Sequence, residues 1–165
     1  MSAQRIEDYI ISELPPDDQP IALDFVGYLR DNNMEFVRDN GECWKDKIYY
    51  WVMYQTKCVC FIAINDPDEE ANRWTVWSGD MDSTFLADYP VSNEIKELAW
   101  SHVDECGNCG SCSGGRRKTI FGRKFDKVCG CTFRIDNPGT QELLFLKKMV
   151  EIGKCEITKA SCHMS

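Results

Sequence analysis

The chain has 165 residues, 43% of them hydrophobic and 12% aromatic, a composition that fits one folded domain and excludes disorder as a description of the whole. A formal charge of −8 sets up a mean field that repels phosphate, which argues against non-specific binding to nucleic acid or to an anionic membrane. Ten cysteines are far more than ordinary cytosolic usage, so a metal site or a redox site is expected.

The first segment, MSAQRIEDYIISEL, carries acids at Glu7, Asp8 and Glu13 and has no secretory-signal pattern. No later apolar run approaches the roughly 20 residues that span a bilayer. A cytoplasmic protein is therefore expected, and in a reducing compartment clustered cysteines are metal ligands or redox groups before they are disulfides. Ile6, Tyr9, Ile10 and Leu14 recur at helical spacing until Pro15-Pro16 stops them. Asp18 as cap and Pro20 in the first turn open a second helix striped by Ile21, Phe25, Val26 and Leu29, ending near Asn32-Asn33.

From Met34 to Ser78 the period changes to that of strands: Glu35 to Arg38, Cys43 to Tyr54, Cys58 to Asn65 and Arg73 to Ser78, with a hairpin turn at Gln55-Thr56-Lys57. Between the last two lies an acidic loop whose Asp66, Asp68, Glu69 and Glu70 lack the spacing and the closing Glu of a calcium loop. The strands IYYWVMY and CVCFIAI are apolar on both faces, which predicts helices on one face and further protein or a ligand on the other. Tyr49, Trp51 and Trp74 are the candidate pocket residues for a small molecule. Cys43, Cys58 and Cys60 fall inside strands, where a free thiol is a small buried hydrophobe.

Ser92 caps a third predicted helix carrying Ile95, Leu98, Ala99, His102 and Val103 and leading directly into the cysteine cluster. His102 is read as a core residue or a supporter of the ligands rather than a ligand. Cys106, Cys109 and Cys112 form C-x-x-C-x-x-C, with Cys129 and Cys131 after an interval of sixteen residues. Two-residue spacing lets a tight turn aim both sulfurs at one ion, and Gly107, Gly110, Gly114 and Gly115 supply the backbone freedom such turns require. Zinc on four thiolates is the favoured content: Cys106, Cys109, Cys112 and Cys129, with Cys131 as the alternative fourth ligand. In an extended strand the Cβ atoms of residues 129 and 131 stand about 6 to 7 Å apart on one face. Both would reach one ion only if Gly130 kinked the backbone. An iron–sulfur cluster and metal-free redox thiols remain alternatives. The bacterial ferredoxin run also opens C-x-x-C-x-x-C, but there a fourth cysteine and a proline follow closely, whereas position 116 here is Arg.

Residues 116–127, RRKTIFGRKFDK, concentrate six of the nineteen basic residues in a stretch expected to be a solvated loop. Cations beside a dianionic zinc–thiolate centre balance its charge without any partner, while an anion contact using Phe121 and Phe125 is the functional alternative. Val128 to Ile135 is the last predicted strand, and Asn137-Pro138 begins a final helix that Gly153 is placed to end. Residues 155–165, with Cys155, Cys162 and His163, then form a flexible tail. No phosphate loop, nucleophile elbow or zinc-protease motif is present, so the composition argues against an enzyme.

The order WKDKIYYWVMYQTKCVCFIAI, CGNCGSCSGGRRKTIFGRKFDKVCG and FRIDNPGTQELLFLKKMVEI resembles a group of uncharacterised, cysteine-containing proteins of clostridia and related Firmicutes, over residues 21–154. The element order is also similar to small α+β proteins of the YjbR type. The first resemblance agrees with Cys129 as a ligand and implies no reaction. The combined expectation is one α+β domain over residues 1–154: an antiparallel sheet of four to five strands, two helices before it, a helix into a cysteine-rich metal lobe at 104–131, and a C-terminal helix.

Overall fold

In a computed structural model the described residues are 5–39, 47–66, 71–79, 81, 83–105 and 115–163, without the side chains of 83 and 160–163. The expected strand start at Cys43, the loop acids at 68–70, the triplet Cys106, Cys109 and Cys112, and the side chains of Cys162 and His163 lie outside them.

Helix α1, Ile6–Glu13, is held at its start by the Arg5 backbone amide donating to the Asp8 carboxylate at 3.0 Å, and it buries Ile6 and Ile10. Helix α2, Gln19–Asp31, buries Ala22, Phe25, Val26 and Leu29, the stripe its spacing predicts. Asp18 does not cap it: its side chain makes no cap hydrogen bond and instead accepts from the Arg73 guanidinium. That pair ties the start of α2 to the strand that begins at Trp74.

Strands β1 (Glu35–Arg38), β2 (Ile48–Tyr54), β3 (Lys57–Ile64) and β4 (Trp74–Ser78) form an antiparallel meander in that order. Gln55 and Thr56, at φ 50° and 69°, make the two-residue turn that joins β2 to β3. Helices α3 (Ser83–Ala87) and α4 (Asn93–Ser101) follow, with the Ser92 hydroxyl accepting from the Ile95 amide at 3.3 Å as its cap. Then come β5 (Val103–Glu105), β6 (Arg116–Ile120), β7 (Arg123–Asp136) and α5 (Thr140–His163). The sheet runs β1-β2-β3-β4-β7-β5, with β6 on β7, every pairing antiparallel.

The fold is α+β as expected, but the sheet has seven strands rather than four or five. Both additional strands have a local cause. Helix α4 ends at Ser101 and His102 leaves helical geometry, so Val103 joins a strand rather than the helix. The basic stretch 116–127 is a hairpin, turned by Phe121 (φ 49°) and Gly122 (φ 90°), rather than a solvated loop. Its inward positions are Lys118 and Ile120, both buried, and a lysine at an inward site hides the alternation from a hydrophobic pattern.

Helix α5 likewise continues past Gly153 to His163, so residues 155–163 belong to it rather than to a free tail. A Cβ on Gly153 would stand 3.3 Å from Val59 Cγ1, which shows that the glycine serves close approach of helix to sheet and not termination. The helix layer packs on one face of the sheet: Tyr9 of α1 meets Tyr50 at 6.3 Å between rings, and Phe145 of α5 meets Phe133 at 5.1 Å.

Two glycines allow a test of this packing. A Cβ at Gly79 would lie 2.8 Å from the Cys58 carbonyl oxygen, whereas one at Gly27, inside α2, would meet nothing within 4 Å. Urea unfolding should show Gly79→Ala to be less stable by about 1–3 kcal/mol. Gly27→Ala should gain about 0.5–1 kcal/mol from the lower entropy of its unfolded chain.

Candidate metal centre at the bend of β7

Val128 is the hub of this part of the sheet. It registers with Glu105 of β5 on one edge of β7 and with Arg116 of β6 on the other. Between Val128 and Phe133, which pairs with Val103, β7 advances five residues while β5 advances two. The surplus residues of β7 bulge out of the ladder, and they include Cys129, Gly130 and Cys131.

Thr132 turns the bulge back into the strand with φ 57°, a left-handed value uncommon for a β-branched residue. Gly130, the residue whose kink would be needed to bring both thiols to one ion, has no positive φ. The bend is held from three directions. The Thr132 hydroxyl accepts from the buried Lys118 ammonium at 2.9 Å and from the Met81 amide at 3.2 Å, while Lys118 also donates to the Met81 carbonyl at 2.7 Å. Ser78, fully buried at the end of β4, donates to the Cys131 carbonyl and accepts from the Phe133 amide at 3.2 Å. Ser78 thus replaces, by its hydroxyl, the ladder bonds that β4 no longer provides.

Cys129 and Cys131 are half-buried at the bulge. Cys129 lies within hydrogen-bonding reach of both the Cys131 thiol and the Asp104 carboxyl. Burial, reinforced by the nearby Cys129 and Asp104, pushes the Cys131 thiol up to about 11. Burial also raises Asp104, with Arg134 and the bond from Cys129 acting the other way. Among the described residues, no three His, Cys, Asp or Glu side chains converge on a point that an ion could occupy.

The remaining sequence candidates separate. Trp74 is 1% exposed on the helix-covered face, since it registers with Ile64, and Ile62 and Val76 alternate on that same side with Tyr50. Tyr49 and Trp51 lie on the opposite face, so the three do not line one pocket. That face carries a cross-strand row of Val37, Trp51, Phe61, Trp77 and Arg134, with Trp51 40% exposed and Tyr49 buried beside it. The rings pack mainly on one another: Trp51 on Phe61 at 5.5 Å, Tyr49 on Phe61 at 5.9 Å and on Trp77 at 6.0 Å, with Arg134 over Trp77 at 5.3 Å. Phe121 is buried and unavailable for stacking.

Cys60 is fully buried in β3 and Cys58 half-buried, as their strand positions imply. His102 is half-buried and stacks on Phe145 at 6.2 Å, and burial holds its pKa below the usual value. Cys155, expected in a free tail, accepts a 3.8 Å hydrogen bond from the Tyr89 hydroxyl. The residues that shape the bend, Ser78, Lys118 and Thr132, were not singled out from the sequence; a lysine at an inward position of an alternating strand is the one signal among them. Comparison with protein-family models, with curated proteins and with solved structures found no match.

Ser78 and Cys58 each allow a test. Ser78→Ala leaves buried backbone groups at Cys131 and Phe133 without their partner and should cost about 1–3 kcal/mol in urea unfolding. Burial pushes the Cys58 thiol up to about 11 from 9.0. Near pH 8 its alkylation should be about 100-fold slower than that of an ordinary thiol, from the smaller thiolate fraction. Because this pKa is raised on folding, its stabilising contribution is complete below pH 9 and is lost as the pH rises through about 11, which unfolding at successive pH values would show.

Proposed function

We propose that the chain is a non-enzymatic binding module built around a structural zinc centre, with Cys106, Cys109, Cys112 and Cys129 as the four thiolates. The observation that supports this most is the register at Val128. Glu105 immediately precedes the segment that holds the triplet and Arg116 follows just after it, and both pair with Val128, whose chain neighbour is Cys129. The residues that flank the segment therefore stand on either side of the one residue next to the proposed fourth thiol.

Zinc suits this donor set, because thiolates favour it and four of them complete a tetrahedral site. When bound, it would supply a covalent-strength tie between the segment and β7, with no open position for chemistry. Cys129 is the preferred fourth ligand because it adjoins Val128 directly. Cys131, two residues further and closer to the Thr132 bend, supports it by hydrogen bonding. A four-thiolate zinc site also suits a cytoplasmic, reducing setting. The binding surface in this reading is the open sheet face, where Trp51 and Val37 are among the exposed large hydrophobic residues.

Elemental analysis of protein purified without added metal tests the reading. About one zinc per chain is expected, falling well below that in Cys129→Ser and persisting in Cys131→Ser. A brown protein, a metal-free wild type, or loss of metal in Cys131→Ser alone would refute the assignment.

A further inference from the structure

Cys129 and Cys131 stand closer together than their places in an extended strand allow. A flat strand holds the Cβ atoms of residues i and i+2 about 6 to 7 Å apart, beyond the roughly 3.5–4.5 Å that a disulfide spans. At the bulge of β7 the Cys131 thiol lies within hydrogen-bonding reach of the Cys129 sulfur instead. The cause is the surplus of residues between Val128 and Phe133, together with the left-handed turn at Thr132. A zinc centre on the triplet and Cys129 needs one thiolate from β7, so it does not explain why a second thiol is held beside the first.

The residue between the two thiols suits closure of a small ring. Gly130 is exposed, and a Cβ there would meet nothing within 4 Å, so the Cys-Gly-Cys backbone can tighten without displacing a described neighbour. Its downstream end is anchored. The Cys131 carbonyl accepts from the Ser78 hydroxyl, and the Thr132 hydroxyl accepts from the Lys118 ammonium at 2.9 Å. Cys58-Val59-Cys60 has the same spacing and a contrary arrangement. There the Cys58 thiol donates to the Cys60 carbonyl at 3.3 Å rather than to its sulfur, Cys60 is fully buried, and the middle residue is buried against Gly153 of α5. Nor does Cys58 suit Cys131 as a partner, because β4 lies between their strands and two strand spacings are about 10 Å.

We infer that Cys129 and Cys131 form a reversible disulfide, with a small disulfide such as oxidised glutathione as the oxidant, and that this bond withdraws the fourth thiolate from the metal centre. The withdrawal rests on the zinc centre proposed above, whereas the disulfide itself does not. Cys129, as its thiolate, attacks one sulfur of the oxidant. The oxidant's S–S bond breaks, and one glutathione leaves as thiolate and takes up a proton from solvent. The Cys131 sulfur then attacks Cys129 Sγ, the mixed bond breaks, and the Cys131 proton goes with the second glutathione. Two electrons pass from the pair to the oxidant, which is released as two reduced glutathiones. A disulfide sulfur is no longer a thiolate, the form that binds metal. So small a ring is strained, and strained disulfides are the readily reduced, regulatory ones rather than permanent crosslinks. In a reducing compartment such a bond lasts only while oxidant is present.

The test uses the full chain, with its zinc content measured first so that failure of the zinc assignment is seen separately. The protein is held in glutathione buffers of rising oxidised fraction, its remaining thiols are alkylated, and the masses of its tryptic peptides are recorded. Cleavage after Lys127 and Arg134 gives the peptide 128–134, which holds Cys129 and Cys131 and no other cysteine. This peptide should lose two hydrogens and escape alkylation at an oxidised fraction that leaves the peptide with Cys58 and Cys60 alkylated. Dithiothreitol should reverse the change, and zinc should leave in step with the bond. In Cys131→Ser no bond can close, Cys129 returns to thiolate by the reverse exchange, and zinc loss should be at least about tenfold slower. A zinc-free protein that still forms the bond would refute the metal centre and leave the dithiol pair standing. Zinc retained beside a complete disulfide would overturn the withdrawal of Cys129 from the metal. A peptide 128–134 that stays doubly alkylated, carries two glutathiones, or is joined to another cysteine would overturn the pair itself.

Discussion

The arrangement around the thiols depends on a single backbone turn, the left-handed conformation of Thr132. A β-branched residue at φ 57° costs on the order of 1–3 kcal/mol and persists only where its surroundings over-determine it. They do so here. Lys118 from β6, the Met81 amide and Ser78 from β4 fix the hydroxyl of Thr132 and the backbone on either side of it. Without the bend, β7 would continue its ladder with β5 in register, and Cys129 and Cys131 would sit in an ordinary strand instead of on a bulge.

The same bend divides β7 into two working lengths. Beyond it, residues 134–136 pair with β4 and carry the sheet's order onward from the meander. Before it, residues 123–128 pair with β6 in a basic hairpin. A buried lysine joins the two lengths, because Lys118 stands on the hairpin strand and reaches the hydroxyl at the bend. Its ammonium is buried among oxygen acceptors, the arrangement that makes a buried cation tolerable. The two faces of the sheet are equally distinct. One is sealed by helices, and the other keeps its aromatic row partly open.

Much of the fold was legible in the sequence where a period repeats without interruption. The stripe of α2, the β2–β3 turn at Gln55-Thr56 and the Ser92 cap stand where propensity and pattern put them. Reading failed where tertiary contacts reversed a local signal. Gly153 looks like a stop, yet it lies in mid-helix, where a Cβ would stand only 3.3 Å from Val59 Cγ1. Trp74 and Trp51 look alike along the chain, but register sends one into the core and leaves the other 40% exposed. The strand β6 was hidden by Lys118 at an inward site, and Asp18 is taken from its capping role by Arg73, far away in sequence. For the candidate site, spacing pointed to Cys129 and Cys131, but nothing local indicates that Thr132 rather than Gly130 bends the chain. That choice is made by Ser78, Met81 and Lys118, which come from three other segments.

In the proposed centre Cys129, beside the hub at Val128, is the thiol of β7 that holds the metal. Replacing the metal with cadmium-113 and recording its through-bond coupling to cysteine Cβ protons tests this at the level of individual ligands. One cadmium resonance coupled to Cys129 and to Cys106, Cys109 and Cys112, with no coupling to Cys131, is the predicted result. Coupling to Cys131 in place of Cys129, or no bound cadmium at all, would contradict the claim.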